Sequence, residues 1–325
     1  MRNVSRLARA MVTLLLVLAG IGEALAESRE VAGMITEIKL GGGRVEVKGP
    51  GTDDWRPAGP LMSLLAGDEV RASEGAAAVV LLSGGRGIIR IEAGADPVAI
   101  PAPEVRQTKT RKVQAILSAS FGYLSGRAHE VSDIVLGTRG IPVEPIVLTP
   151  RNSPVLDDAV AFEWVGSPSG KYTLEIEGPS GVVFKLTELP RARIEYPSHA
   201  PTLRPGVRYT VRVIAARSQR VDRAWFEVLS REETQQVRES LASLNEEGTR
   251  SIPPNTLVTV RAGYLANRGL LHEARRELMG AIAQSPNEAT LRLLLGHVAS
   301  QIGLGLEARQ AFDEARRLMG EGGQH

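Results

Sequence analysis

Three regimes of hydrophobic patterning follow one another along the chain. From Val31 to about residue 100, short apolar stretches alternate with glycine turns. Val31 to Ile38 opens the region, and Arg44-Val45-Glu46-Val47-Lys48 alternates polar and apolar as a half-buried strand does. Gly49 to Asp54 is turn chemistry, followed by Trp55, a strand at Val70-Arg71, a small-residue strand from Ala77 to Leu82, a Ser83-Gly84-Gly85 turn, and Ile88 to Ile91. Pro101 and Pro103 then break the strand run. Val113 to Leu124 reads as a short helix, and Val131 to Leu136 with the Arg139-Gly140 step as a closing strand. Residues 101–141 are taken as an extension of the first domain.

The second regime keeps period two but lengthens the strands. Phe162 to Trp164, Tyr172 to Glu177, Val182 to Leu186, Arg193 to Tyr196, Tyr209 to Ala215 and Ala224 to Leu229 are separated by turns rich in Gly, Pro and Ser. Such spacing predicts an antiparallel sandwich of about 90 residues. The third regime is helical, starting near Arg231 and interrupted at Ile252-Pro253-Pro254-Asn255. Beyond it an internal repeat appears: Gly269, Ala274, Leu278, Ala281 and Pro286 stand against Gly303, Ala308, Phe312, Ala315 and Gly320, each pair offset by 34 residues. Ala274 and Ala308 occupy positions where two helices approach too closely for a larger side chain, and Gly269 and Gly303 fall at the turns between helices.

Each regime resembles a known module. Gly33 in the first strand, Val45-Glu46-Val47, Trp55 and Gly67-Asp68 leading into Val70-Arg71 resemble a FecR-type periplasmic domain. One departure is Gly85-Arg86, where that family usually carries Asp-Gly, so the strand that follows is free to pair differently. The anti-sigma regulators of the family have a cytoplasmic domain and a membrane span that this sequence lacks, so their signalling mechanism is not carried over. Leu203 to Val213 looks like the tyrosine corner of a fibronectin type III domain. Its resemblance implies that Tyr209 hydrogen-bonds back to nearby backbone over Leu203, with Trp164 buried on an early strand. The 34-residue period resembles the tetratricopeptide repeat. Leu295-Gly296 in the second copy matches that family's helix-A signature, while Arg261-Ala262 in the first departs from it. Two copies are fewer than a solenoid usually needs, so an extra helical layer from 231–247, a partner or self-association would complete the stack.

The N-terminus carries Arg2, Arg6 and Arg9, an apolar run from Met11 to Ile21 and a small-residue site at Ala24-Leu25-Ala26, the layout of a secretory signal peptide. As a helix the run reaches about 16 Å against roughly 30 Å of bilayer hydrocarbon, which favours cleavage near Ala26 over a retained anchor. Removing residues 1–26 takes away three Arg and one Glu, which leaves basic and acidic residues equal in number. The mature chain therefore lacks the electrostatic footprint of a nucleic-acid binder. With no cysteine, disulfides, thiolate metal sites and lipid attachment at a mature N-terminal Cys are excluded.

No pattern specifies catalysis. His129-Glu130-Val131-Ser132-Asp133 begins like a zincin motif but lacks the second histidine. Gly166-Ser167-Pro168-Ser169-Gly170 has proline where a nucleophile elbow needs serine, and reads as a hairpin turn. Asp53-Asp54 and Asp157-Asp158 read as turn residues, because catalytic carboxylates generally need burial to shift their pKa. His272 and His297, 25 residues apart, are assigned packing or solvated roles, and no cofactor or metal is implied.

The sequence thus predicts a multidomain β plus α protein. A signal peptide (1–26) precedes a FecR-type β domain with its extension (27–141), a fibronectin-like sandwich (142–230), a helix and linker (231–254) and two repeat hairpins (255–325). Its expected role is that of a periplasmic or secreted non-catalytic scaffold with an envelope protein as partner. Carrying over the repeat family's groove gives Thr259 and Asn267 in the first copy and Thr290, His297 and Gln301 in the second, set against a plainly solvated face. A cell-wall glycan is the other candidate ligand, with Trp55 either stacking on sugar or filling the small domain's core. A periplasmic sensor working through a separate membrane transducer is the remaining reading.

Overall fold

The structure, a computed structural model, describes residues 31–103, 111–125, 127, 145–156, 160–190, 193–244 and 252–320. Strands make up its first two thirds apart from one α-helix at Arg111–Ser125, and helices make up its last third, a β plus α architecture. The expected signal peptide and the strand expected at 131–140 lie outside the described residues.

Eight short strands build the first domain as two four-stranded sheets, one ordered β4-β1-β6-β7 and the other β3-β2-β5-β8. The first sheet comprises β1 (Val31–Lys39), β4 (Ser63–Leu65), β6 (Ala77–Leu82) and β7 (Ile88–Ile91). The second comprises β2 (Val45–Lys48), β3 (Arg56–Pro57), β5 (Glu69–Ala72) and β8 (Val98–Ala99). Between them lie Ile35, Ile38, Val45, Val47, Val70, Val80 and Ile91, all buried. Across the Gly85-Arg86 step, β7 pairs antiparallel with β6, Leu81 opposite Ile88, through a 3-10 turn at Ser83–Gly85.

Strand β1, like β6 beside it, is buried on both faces. The pairing of β1 with β6 shifts register between Ile35 and Glu37. A bulge of this kind turns two consecutive side chains the same way, and Thr36 and Glu37 both reach the same residue, Thr256, of the helical region.

The second unit packs the five-stranded sheet β10-β16-β15-β12-β13 on the three-stranded sheet β14-β11-β9. The larger sheet contains β10 (Ser153–Val155), β12 (Tyr172–Gly178), β13 (Gly181–Leu189), β15 (Arg208–Ala215) and β16 (Val221–Val228), and the smaller β9 (Ile146–Thr149), β11 (Ala161–Val165) and β14 (Arg193–Glu195). Inward residues at period two, among them Phe162, Trp164, Leu174, Ile176, Val211, Val213 and Phe226, form its core. Strands β9 and β10 escape the sequence reading because they are short and flank Pro150 and Pro154. β10 also joins β16 in parallel, unlike its neighbours.

The described residues form six α-helices: α1 (Arg111–Ser125), α2 (Arg231–Ser243), α3 (Pro254–Asn267), α4 (Leu271–Gln284), α5 (Ala289–Gln301) and α6 (Gly305–Leu318). Ser230 and Glu233 form a reciprocal capping box that starts α2. Proline at the first position starts α3. The two hairpins α3–α4 and α5–α6 turn at Gly269 and Gly303, with φ of 76° and 82°, values that glycine adopts without Cβ strain. Ala274, Leu278, Ala308, Phe312 and Ala315 are buried at the hairpin interfaces. Helix α1 forms where the sequence predicts it, but its partner is unexpected. Instead of extending the first domain's sheets, it lies chiefly on α3, with further contact to the 3-10 turn and to α2.

Candidate functional site

The repeat helices α3 and α5 carry the residues read as a binding groove, and most of those residues are covered. Thr259, Thr290 and His297 are 0%, 0% and 1% exposed. Asn267 and Gln301, at the helix ends, remain exposed. The expected open groove is therefore filled along most of its length, and the filling is the chain itself.

One end is closed by β1. The Thr36 hydroxyl lies 3.0 Å from that of Thr256, and Glu37 Oε1 accepts from the Thr256 amide (2.8 Å) and hydroxyl (2.7 Å). Glu288, just before α5, accepts the Ile38 amide at 3.1 Å. The other end is closed by α1. Ser120 Oγ donates at 2.8 Å to the carbonyl of Val260, and Tyr123 Oη meets the Gln301 amide group at 3.1 Å. Leu124 sits over Gly263, where a Cβ would lie 3.1 Å from the leucine Cγ. Small residues at 120 and 263 are what allow the two helices to approach so closely. Thr259 turns its hydroxyl to the Asn255 carbonyl, and His297 packs edge-on against Phe312, ring centroids 5.1 Å apart.

This closure buries two carboxylates that sequence reasoning did not single out. Glu37 is 8% exposed and Glu288 1%. Burial pushes the Glu288 carboxyl up to about 7. The Ile38 amide opposes that shift and the nearby Glu37 charge reinforces it. Glu37 lies within the opening stretch Val31 to Ile38, where the sequence gives it no separate role, and the register shift beside it turns it toward the helices.

Trp55 neither fills the first domain's core nor presents a bare face. The Arg71 guanidinium stacks on its ring at 3.9 Å and is itself held by Glu46 at 2.7 Å. Trp164 is buried, edge-on to Tyr172. Tyr209 Oη accepts the Arg204 amide at 2.8 Å, five residues upstream, with Leu203 largely buried beside it.

The remaining motifs have structural explanations where they are described. Gly166 and Gly170 flank the Tyr172 hydroxyl, which donates to the Ser167 carbonyl at 3.3 Å, so this glycine pair encloses a phenol. Asp53 and Asp54 are exposed. His129 to Asp133 and Asp157-Asp158 lie outside the described residues. His272 is half-buried. Its Nδ1 lies 2.5 Å from Thr149 Oγ1, and burial, helped by Arg276, Arg275 and Arg193, lowers its pKa to about 4. Among the described residues no cluster of three metal-ligating side chains occurs, and no helix is long and apolar enough to cross a membrane. No protein-family model and no curated protein matches the chain.

Proposed function

We propose that the chain is a non-catalytic scaffold of the bacterial envelope, in which a FecR-type domain, a fibronectin type III-like sandwich and two tetratricopeptide-like hairpins are locked into one body. The covered helix face carries this reading. Hydrogen bonds from β1 and α1 reach α3, α5 and the Glu288 carboxylate across 140 to 250 residues of sequence, and one apolar cluster runs from Met34 and Leu81 through α1 into all four repeat helices. Packing of that kind fixes modules relative to one another, which is what a scaffold requires. The repeats spend their inner face on the rest of the chain, so an envelope protein partner docks on outward surfaces. Among the described residues the most exposed large apolar side chains are Val182 on β13 (54% exposed) and Leu306 on α6 (52%). Wall-glycan binding through Trp55 has less support, because Arg71 already occupies a face of the ring.

The test is site-specific photo-crosslinking in the native cells. A crosslinker at Val182 or Leu306 is expected to capture a discrete envelope protein, while one at Tyr123 captures only the chain itself. Capture of wall fragments alone, or of the same protein from Tyr123, would overturn the proposal.

A further inference from the structure

A second feature lies on the opposite side of the repeats, where the sandwich meets α4. The outward face of its small sheet presents one row of side chains across three strands. Arg193 on β14 pairs with Glu163 on β11, which in turn pairs with Thr149 on β9. Facing it, α4 sets His272, Arg276 and Met279 at positions i, i+4 and i+7, a single helical stripe. A cleft of about 220 Å³ separates the two walls.

The charge state of this cleft points to a ligand. Arg275, also in the lining, is fully engaged by Glu307 through two contacts of 2.7 Å. Arg193 and Arg276 are different: both are exposed, and among the described residues neither guanidinium has a hydrogen bond or an ion pair. Two carboxylates, Glu163 and Glu273, share the lining. After burial, the causes that lower the His272 pKa are the charges of Arg276, Arg275 and Arg193. Two guanidiniums from opposite walls, each an unfilled planar donor fork, match carboxylate or phosphate oxygens.

We propose that this cleft binds a small oxyanion, carboxylate or phosphate, clamped between Arg193 of the sandwich and Arg276 of the repeats, beside the His272–Thr149 pair. Glu163, between Arg193 and Thr149 in the row, suits a ligand with an amine or hydroxyl next to its oxyanion. Because the two clamps belong to different modules, occupancy ties the sandwich to the repeats.

The His272 ring reports occupancy directly. In the full-length protein, imidazole NMR resonances are followed during titration with inorganic phosphate and, separately, with acetate, using chloride as the control. An oxyanion in the clamp is expected to raise the His272 titration midpoint from its value of about 4. Arg193→Gln and Arg276→Gln should each weaken the affinity about tenfold, the weight of one charge-assisted hydrogen bond, with far-UV circular dichroism unchanged. A response to phosphate alone, to acetate alone or to both supports the site and names the group it takes. No response to either anion, or a response that survives both substitutions, overturns it. This readout does not depend on any partner protein, so it stands or falls separately from the scaffold reading.

Discussion

Gly296 shows how much a single atom decides in the second hairpin. A Cβ placed there would meet the Phe312 ring at 2.5 Å, inside van der Waals contact. Phe312 is buried, and the same ring packs against His297, so it has no simple way to retreat. Gly296→Ala is therefore expected to destabilise the protein by about 1–3 kcal/mol through overpacking, even though alanine is the better helix former. Urea unfolding compares the two proteins, and a variant as stable as its parent would mean that the α5–α6 contact is looser than described. The Leu295-Gly296 pair was legible in the sequence as a repeat signature. For its neighbour in space, His297, the sequence left packing, solvated and groove roles open, since nothing local distinguishes a histidine against an aromatic ring from one facing solvent; the structure selects packing.

Among the elements, α1 has the most to show about reading from sequence. Its apolar spacing announces a helix, and a helix forms. What it covers depends on Ser120 and Gly263, which stand far apart in the chain and become informative only when placed together. The same holds for β1, where a one-residue bulge turns Thr36 and Glu37 toward Thr256. Period-two patterns foretold most of the sandwich, because its strands alternate cleanly between core and solvent. They missed β9 and β10, strands of four and three residues broken up by Pro150 after the first and Pro154 within the second. For α1 the decisive contact is Leu124, fully buried over Gly263. Leu124→Ala removes that knob and leaves a void, which costs about 2–5 kcal/mol for a buried leucine. Thermal unfolding followed by circular dichroism measures the loss. A second measurement, limited proteolysis, should show faster cleavage around 111–125 than in the unsubstituted protein. If stability and cleavage are both unchanged, α1 does not hold the repeat face.

At the scale of the whole molecule, the two junctions between β and α modules respond to pH in opposite directions. Glu288, at the β1 junction, has its pKa raised from 4.5 to about 7. The folded state then holds a proton that the unfolded state releases, so stability falls as pH rises from 4.5 to 7 and is level above that. His272, at the sandwich junction, has its pKa lowered from 6.5 to about 4. Here the unfolded state takes up the proton first, and stability is lost as pH falls from 6.5 toward 4. Across the overlap of the two windows, 4.5 to 6.5, the slopes are similar and opposed, and the pair contributes a nearly flat profile. Removing one group should expose the other. Glu288→Gln keeps an oxygen for the Ile38 amide but cannot titrate, and it is expected to lose stability on acidification below 6.5 by roughly 1 kcal/mol per pH unit. The same substitution should make the protein more stable than its parent at pH 8, where the buried carboxylate would otherwise carry its charge. Urea unfolding at half-unit steps from pH 4.5 to 8 reads both effects. A Glu288→Gln profile parallel to that of the parent would show that the β1 junction does not bury a titrating carboxylate. A steeper acid limb would show that the opposed burial of an acid and a base levels the stability of this molecule between pH 4.5 and 6.5.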